Sequence, residues 1–552
     1  GTLPSGHGNA SDVGETVTHY ASSMASLPGT VVAGRARTAT VLAWAPWAVV
    51  VAGTLLRLAR FADNRSFWLD ESLLGLNLLE RSTRDLLRSL DYVQSAPLGF
   101  LLAQKEALDL LGEAEWTLRL LPFVASIAAL VLFALVARRL LGPWTTLLAV
   151  TIFAVSEPLL YQSSEAKPYS SDVAVALLLV WLALRAFETV AEGLTFRSLV
   201  PLGIVGTAAV WFSYPSVFVL AAAFGGLVVC AGRRGLRPLF RVAAPVGLLW
   251  VVSFLVLYTA SSVTIATIRS SLFTGDAHGP SKLVALARAS WASFIDPLGF
   301  VASLRGVALL CLAMGVVAVI RRAPASIRIL LLAPGLLALV AAYIEKYPPG
   351  GRFWLFLVPF ATLLIARGAA ELVSASRESL LVALLVGLLL VAQPVGAALR
   401  GVADPPKREH LRPLLQSLVR EWRPGDFLFT YVNAQYALRF YGECGGCGVR
   451  PYPFALRRAP AGADDGFGFP AALVSGPSVE VGKAHAASAP SLAALDRLAG
   501  RPRVWLLFSH VWDVEGLNEE RLALAYLDTL GGRRLAERRE PGAALYLYDL
   551  RP

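Results

Sequence analysis

Apolar residues recur in blocks of about twenty, near 39–59, 119–140, 145–161, 171–188, 199–213, 214–231, 240–260, 303–320, 327–344, 353–366 and 380–399. A helix of that length crosses roughly 30 Å of hydrocarbon. The pattern therefore predicts a polytopic α-helical membrane protein with about eleven transmembrane helices. Only Ser213-Tyr214-Pro215 separates the fifth block from the sixth, which fits either a kink in one helix or a tight turn between two. Polar positions concentrate in two long connections, about 60–118 and 261–302. The first includes Glu71-Ser-Leu-Leu-Gly-Leu-Asn-Leu-Leu-Glu80, whose apolar spacing suits a helix lying on the membrane surface.

After Asp404-Pro-Pro406 the pattern changes. Asp426-Phe-Leu-Phe-Thr-Tyr-Val432, Arg503-Val-Trp-Leu-Leu-Phe508 and Ala544-Leu-Tyr-Leu-Tyr-Asp549 are short β-like runs set between helical ones, predicting a small α/β domain over 401–552. At the other end, residues 1–38 are rich in Gly, Ser, Thr and Ala without an apolar core, so they are expected to form a disordered tail with no cleavable leader. The intervening 39–400 would be the membrane domain.

Composition excludes a soluble enzyme. Of 552 residues 56% are hydrophobic and 16% charged, against roughly 25% charged in a soluble domain, and mean hydropathy is +0.58. The net charge of +11 rests on Arg, since only six of the 50 basic residues are Lys. An excess of this kind can signal nucleic acid, but here it follows the topology. Arg35/Arg37, Arg138/Arg139, Arg197, Arg233/Arg234/Arg237/Arg241, Arg321/Arg322/Arg328 and Arg367/Arg377 all fall in alternate connections, which assigns those connections and the N-terminus to the cytoplasm. No nucleic-acid partner is expected. An odd number of crossings then puts 401–552 and both long connections on the extracytoplasmic side of a plasma (inner) membrane.

Cys230 and Cys311 lie within apolar blocks and read as small buried hydrophobes. Cys444-Gly-Gly-Cys447, on the outer side, fits a local disulfide, with free thiols as the alternative. Zinc would need two further ligands, and none is nearby.

The outer connections share one feature: each sets polar groups at the membrane edge. Asp70 and Glu71 follow Phe67-Trp68; Asp91 and Gln94 precede Ser95-Ala-Pro97; Glu165-Ala-Lys-Pro-Tyr169 opens the fourth block; Asp276 and His278 lie in the middle connection; and Glu345-Lys-Tyr-Pro-Pro-Gly-Gly-Arg352, with Tyr347, precedes the tenth. Charge at one depth on one side points to a shared polar cavity, because isolated charge beside hydrocarbon is costly. Pro168 suits the first turn of an inward-running helix, whose free N–H groups favour an anion, and Lys167 adds a full charge. Arg352 offers the donor fork that suits phosphate. The Phe67-Trp68 pair is expected to seat the loop in the membrane interface.

Acids beside cations on the outer face fit a substrate that is both lipid-bound and phosphorylated. The chain has no Walker-type phosphate loop and no Asp-x-Asp motif. Trp68-Leu-Asp-Glu71, Glu165-Ala-Lys-Pro-Tyr169 and Pro348-Pro-Gly-Gly-Arg352 together resemble the large-loop membrane glycosyltransferases of the GT-C superfamily, in particular the family-39-like enzymes related to protein O-mannosyltransferases and the lipid A aminoarabinose transferase. The resemblance covers roughly 40–400. It implies a multi-helix membrane fold, a polyprenyl-phosphate sugar donor and transfer on the extracytoplasmic side. Asp70 then matches the family's catalytic acid, acting as base, and Glu71 its neighbour.

Lys167 and Arg352, with Tyr169 and Tyr347, would hold the donor phosphate, and Asp91, Gln94, Glu165 and His278 would line the cavity. Where relatives often carry Pro-Leu-Tyr-Tyr, this chain has Pro97-Leu-Gly-Phe100. An envelope glycan, glycolipid or protein is the expected acceptor. A divalent metal ion shared by Asp70, Glu71 or His278 stays open, without support from ligand spacing. Two other readings are a transporter or flippase, which would show inverted repeats and polar groups at the midplane, and a non-catalytic assembly protein.

Overall fold

The computed structural model describes residues 32–192, 196–232, 243–260, 302–376, 378–460, 462–464, 470–482, 494–514 and 516–552. The second long connection up to residue 301, with Asp276 and His278, and the first 31 residues lie outside them.

Every apolar block is helical. In chain order the membrane half comprises α1 (Val32–Asp63), α2 (Leu69–Glu80), α3 (Leu98–Leu111), α4 (Glu115–Leu140), α5 (Pro143–Val155), α6 (Glu157–Gln162), α7 (Tyr169–Glu192), α8 (Phe196–Phe212), α9 (Ser216–Gly232), α10 (Ala244–Ala260), α11 (Ala302–Arg322), α12 (Ala325–Tyr343), α13 (Val358–Ser374) and α14 (Ser379–Ala403). Among the described residues seven spans are long and apolar enough to cross a membrane: Leu42–Asp63, Glu115–Leu140, Tyr169–Thr189, Leu304–Arg322, Ala325–Tyr343, Gly351–Ser374 and Ser379–Ala403. The remaining apolar helices are shorter: Pro143–Val155, Leu199–Phe212, Ser216–Gly232 and Ala244–Thr259. Ser213-Tyr214-Pro215 is a turn between two helices, closed by Ser216 N donating to Ser213 O.

Several helices present apolar surface outward, as lipid-facing helices do. On α14 Leu380, Leu384 and Leu388, four residues apart, are all exposed. Inside, small residues allow close crossings: a Cβ on Gly315 of α11 would fall 1.9 Å from Leu364 O of α13, and one on Gly368 of α13 would fall 1.7 Å from Cys311 O. This contact fixes α13 and with it the turn that begins at Gly351.

The C-terminal region folds around a five-stranded mixed sheet in the order β4-β1-β5-β9-β8, formed by β1 (Phe427–Thr430), β4 (Val479–Val481), β5 (Val504–Ser509), β8 (Arg533–Glu540) and β9 (Ala543–Asp549). β2 (Arg457–Arg458) pairs with β3 (Leu473–Val474), and β6 (Asp513–Val514) with β7 (Leu517–Asn518). β1 runs parallel to β4 and β5, while β9 is antiparallel to β5 and β8. Helices α15 (Leu411–Glu421), α16 (Ala434–Glu443) and α17 (Glu519–Thr529) complete it. Cys444 and Cys447 are joined by a disulfide, and Gly445 N in that loop donates to Glu113 Oε2 at 3.2 Å.

The first long connection and this domain share one core. Phe67 stacks on Phe440 of α16 at 4.9 Å, and Gly75 of α2 lies so close to that ring that a Cβ would sit 2.6 Å from it. The aromatic pair expected in the membrane interface is therefore internal: Phe67 and Trp68 are both buried. The sequence placed them by their distance from an apolar block and had no sign of the domain that covers them.

Candidate active site

Three separate turns converge on Asp70. It sits in the first turn of α2, where a carboxylate is favoured by the helix dipole. Trp68, the residue before the helix, offers no side-chain cap. Glu409 supplies one from 340 residues away, Leu69 N donating to its Oε2 at 2.9 Å. Asp70 Oδ1 then meets Lys167 Nζ at 3.1 Å, and Oδ2 meets the Arg352 guanidinium at 2.5 Å.

Lys167 stands just before α7, where Pro168 O accepts the first helical bond, from Asp172 N at 2.9 Å. Its ammonium also donates to Gln94 Oε1 at 2.7 Å. Arg352 opens not a helix but a 3-10 turn, Gly351–Leu357, entered through Gly351 at φ +62°, a conformation that glycine adopts without strain. Tyr347 OH donates to Phe353 O at 2.6 Å and Trp354 Nε1 to Pro348 O at 2.8 Å, so two side chains lock that turn. The guanidinium lies 5.2 Å from the Trp68 ring centroid and 5.4 Å from that of Tyr169, contacts that hold a cation on aromatic faces.

The cluster is partly open: the side chains of Asp70 and Arg352 are 15% and 27% exposed. Burial alone would raise the Asp70 carboxyl, but Lys167 and Arg352 outweigh it and hold the pKa down at about 2. Burial also pulls the Lys167 ammonium below its ordinary value, against the pull of Asp70. Glu165 is fully buried, accepts from Trp68 Nε1 at 3.1 Å and lies 3.9 Å from Arg352. Burial, then the nearby Glu71, pushes its carboxyl up.

Glu71, one residue from Asp70, points into a different network. Arg119 of α4 donates to both of its oxygens, at 3.0 and 2.8 Å, and Ala166 N donates to Oε1 at 2.8 Å. Arg119 also donates to Arg65 O. The pair is sealed, with side-chain exposures of 1% for Arg119 and 0% for Glu71.

Of the residues singled out from the sequence, the structure thus brings together Asp70, Gln94, Glu165, Lys167, Tyr169 and Arg352. Tyr347 braces the Arg352 turn, with its hydroxyl engaged by Phe353 O. Asp91 stands apart, half exposed and 2.8 Å from Arg81. Sequence reasoning passed over Arg119, Glu409 and His510. Arg119 left a signal, a charge on the very edge of an apolar block; the other two left none. No group of three or more His, Cys, Asp or Glu side chains suited to a metal occurs among the described residues. Asp70 and Glu71 each face cations, and His278, the third residue considered for a metal, lies outside the described residues.

The family model for dolichyl-phosphate-mannose-protein mannosyltransferase matches residues 95–260. No curated protein sequence matches the chain. Among solved structures, ArnT from Cupriavidus metallidurans bound to undecaprenyl phosphate is 12% identical, with a TM-score of 0.50 over 91% of this chain and 98% of that one. The Archaeoglobus fulgidus oligosaccharyltransferase with zinc and sulfate is 12% identical over 83% of this chain and 67% of that one, with a TM-score of 0.49. The chain thus shares the fold of the first of these along nearly the whole of both chains, and residues 95–260 resemble the mannosyltransferase family.

Proposed function

We propose that the protein transfers a sugar from a polyprenyl-phosphate-linked donor to an envelope glycan, glycolipid or protein acceptor on the extracytoplasmic face of the plasma membrane. The observation that carries this reading is the Asp70–Lys167–Arg352 cluster, which sets one carboxylate between two cations at the mouth of a bundle of apolar helices. Sidedness is supported by α4: Arg119 lies at its outer end and Arg138/Arg139 in its last turn, some 28 Å away at 1.5 Å per residue.

In the reaction Asp70 takes the proton of the acceptor hydroxyl, the acceptor oxygen bonds to the anomeric carbon, and the bond from that carbon to the phosphate oxygen breaks. The leaving phosphate keeps the electron pair, and Lys167 and Arg352 stabilise its charge. In the resting protein these two cations are occupied by Asp70 itself, so the base stands in the place of the phosphate. A carboxyl held at about 2 is a weak base. As the donor phosphate draws the cations to itself, the Asp70 pKa rises and the base strengthens. Glu71 acts at a distance, holding α4 and the turn before Lys167 against α2.

Titration of the protein in nanodiscs with undecaprenyl phosphate tests the reading. Saturable binding is expected, and Asp70→Asn should tighten it about tenfold, because Lys167 and Arg352 then no longer have to leave an internal partner. Absence of binding to the parent protein would remove the reading. A reporter fused after Asp404 tests the side of the membrane and should read as external.

A further inference from the structure

The mechanism above leaves the C-terminal domain without a role, yet that domain meets the active-site helix directly. β1 and β5 lie side by side and parallel, and their connections leave in opposite directions, towards β4 and towards β9. In open α/β sheets, ligands bind outside the carboxyl ends of the strands at such a divide. Here the two loops at that divide are tied together, Asn433 Nδ2 after β1 donating to His510 O after β5 at 2.8 Å.

His510 is unusual in its backbone and in its partner. It holds φ +51°, the left-handed region that a β-carbon disfavours and that tends to persist at functional positions. Its Nδ1 lies 2.6 Å from Oε1 of the buried Glu409, whose Oε2 receives Ser509 Oγ at 3.1 Å and Leu69 N at 2.9 Å. Glu409 therefore joins His510 to the residue before Asp70. A carboxylate only accepts, so in the neutral ring the proton sits on Nδ1 and Nε2 is left as an acceptor; no hydrogen-bond partner for Nε2 occurs among the described residues. The ring lies 6.4 Å from that of Trp68.

Arg408 lies against the same Trp68 ring as His510. It is exposed and stacks 4.3 Å from the Trp68 centroid and 4.9 Å from that of Tyr161. No carboxylate lies within ion-pair distance of it among the described residues. A stacked guanidinium keeps its edge N–H groups free for an anion.

We propose that the cluster of His510 and Arg408 around Trp68 is the acceptor subsite and that the acceptor is an anionic glycan, a proposal that rests on the transferase reading. One sugar hydroxyl gives its proton to Asp70, a neighbouring hydroxyl donates to His510 Nε2, and an anionic substituent lies on Arg408. Two proton acceptors linked through Glu409 and Leu69 N would read two hydroxyls of one acceptor, which a sugar has and a serine or threonine side chain lacks.

The test uses the full chain in nanodiscs with [¹³Cε1]-histidine, the His510 resonance being identified with His510→Gln. With the donor site saturated by undecaprenyl phosphate, methyl α-mannoside 6-phosphate should move that resonance saturably, with a Kd about tenfold below that of methyl α-mannoside, the effect of one charge-assisted hydrogen bond. Arg408→Ala should remove the difference. The proposal is overturned if neither glycoside moves the resonance, if Arg408→Ala leaves the preference intact, or if only a serine or threonine peptide moves it, which would indicate a protein acceptor. Undecaprenyl phosphate binding is read in the same samples, so failure of the donor reading is distinguished from failure of the acceptor subsite.

Discussion

Two ion clusters meet at the start of α2, and they differ in what surrounds them. Asp70 with Lys167 and Arg352 is partly open, and its partners come from two turns that can present their charges to something else. Glu71 with Arg119 is closed, both side chains being sealed from solvent and hydrogen-bonded to each other. A buried pair that satisfies itself is a fastening. On the proposed function, an acid that neutralises two cations at an opening holds a place for the donor phosphate. Adjacency in sequence hides this distinction, because neighbouring residues on a helix point about 100° apart.

The largest separation between the clusters should come from neutralising each acid. Glu71→Gln removes the carboxylate hydrogen-bonded to the buried Arg119 and leaves it only the more weakly coupled Glu115, which costs about 3–5 kcal/mol; a sharp fall in Tm, with loss of all functions together, is expected in a thermal unfolding assay. Asp70→Asn should keep the parent Tm within a few degrees. Equal losses of stability in the two variants would erase the comparison.

Next in size are the cations. Lys167→Ala and Arg352→Ala should each weaken undecaprenyl phosphate binding by about 10–100-fold, the range of a charge-assisted hydrogen bond in a partly closed site, and should lower turnover as well. Isothermal titration on nanodiscs measures the first effect. Unchanged affinity in both variants would mean that the phosphate is held elsewhere.

A smaller effect lies in pH dependence. In the free protein Asp70 titrates near 2, so its contribution to stability is complete above its ordinary value near 4 and is lost as pH falls through about 2. Once the phosphate shares Lys167 and Arg352, the Asp70 pKa rises. The acidic limb of kcat, which reports the complex, should therefore lie at higher pH than that of kcat/KM for the donor, which reports the free protein. Coincident limbs would show that the cations do not leave Asp70. The smallest effect is expected at the Cys444–Cys447 loop: both cysteines are buried, but the loop's polar contacts run to Glu113 rather than to either cluster, so replacing them by Ser should leave transfer within about twofold.

The sequence made the membrane helices legible because lipid imposes a long apolar run on each of them, and the change of pattern after Asp404 announced the sheet. Half of the proposed active site was legible for a related reason. Asp70, Gln94, Glu165, Lys167 and Arg352 are polar residues at ends of apolar runs, where charge is costly and stands out. The roles within the site were less visible. Asp70 and Glu71 carry the same local signal, and only the position of Arg119 separates them. Glu409 and His510 reach the site across more than 300 residues of chain through folded contacts that no local periodicity records. Tyr347 looked like a phosphate ligand because it is a polar aromatic at the right depth; its hydroxyl is used instead to close the turn that aims Arg352.

The most direct measurement of the central claim is transfer of a labelled sugar from a synthetic polyprenyl-phosphate sugar by the parent protein and by Asp70→Asn, both in nanodiscs and both with donor binding measured in parallel. The account predicts that the parent binds and transfers, while Asp70→Asn binds at least as tightly and transfers roughly 10²–10⁴-fold more slowly, the loss expected for a general base. An Asp70→Asn protein as fast as the parent, or a parent that binds no polyprenyl-phosphate sugar, would contradict it.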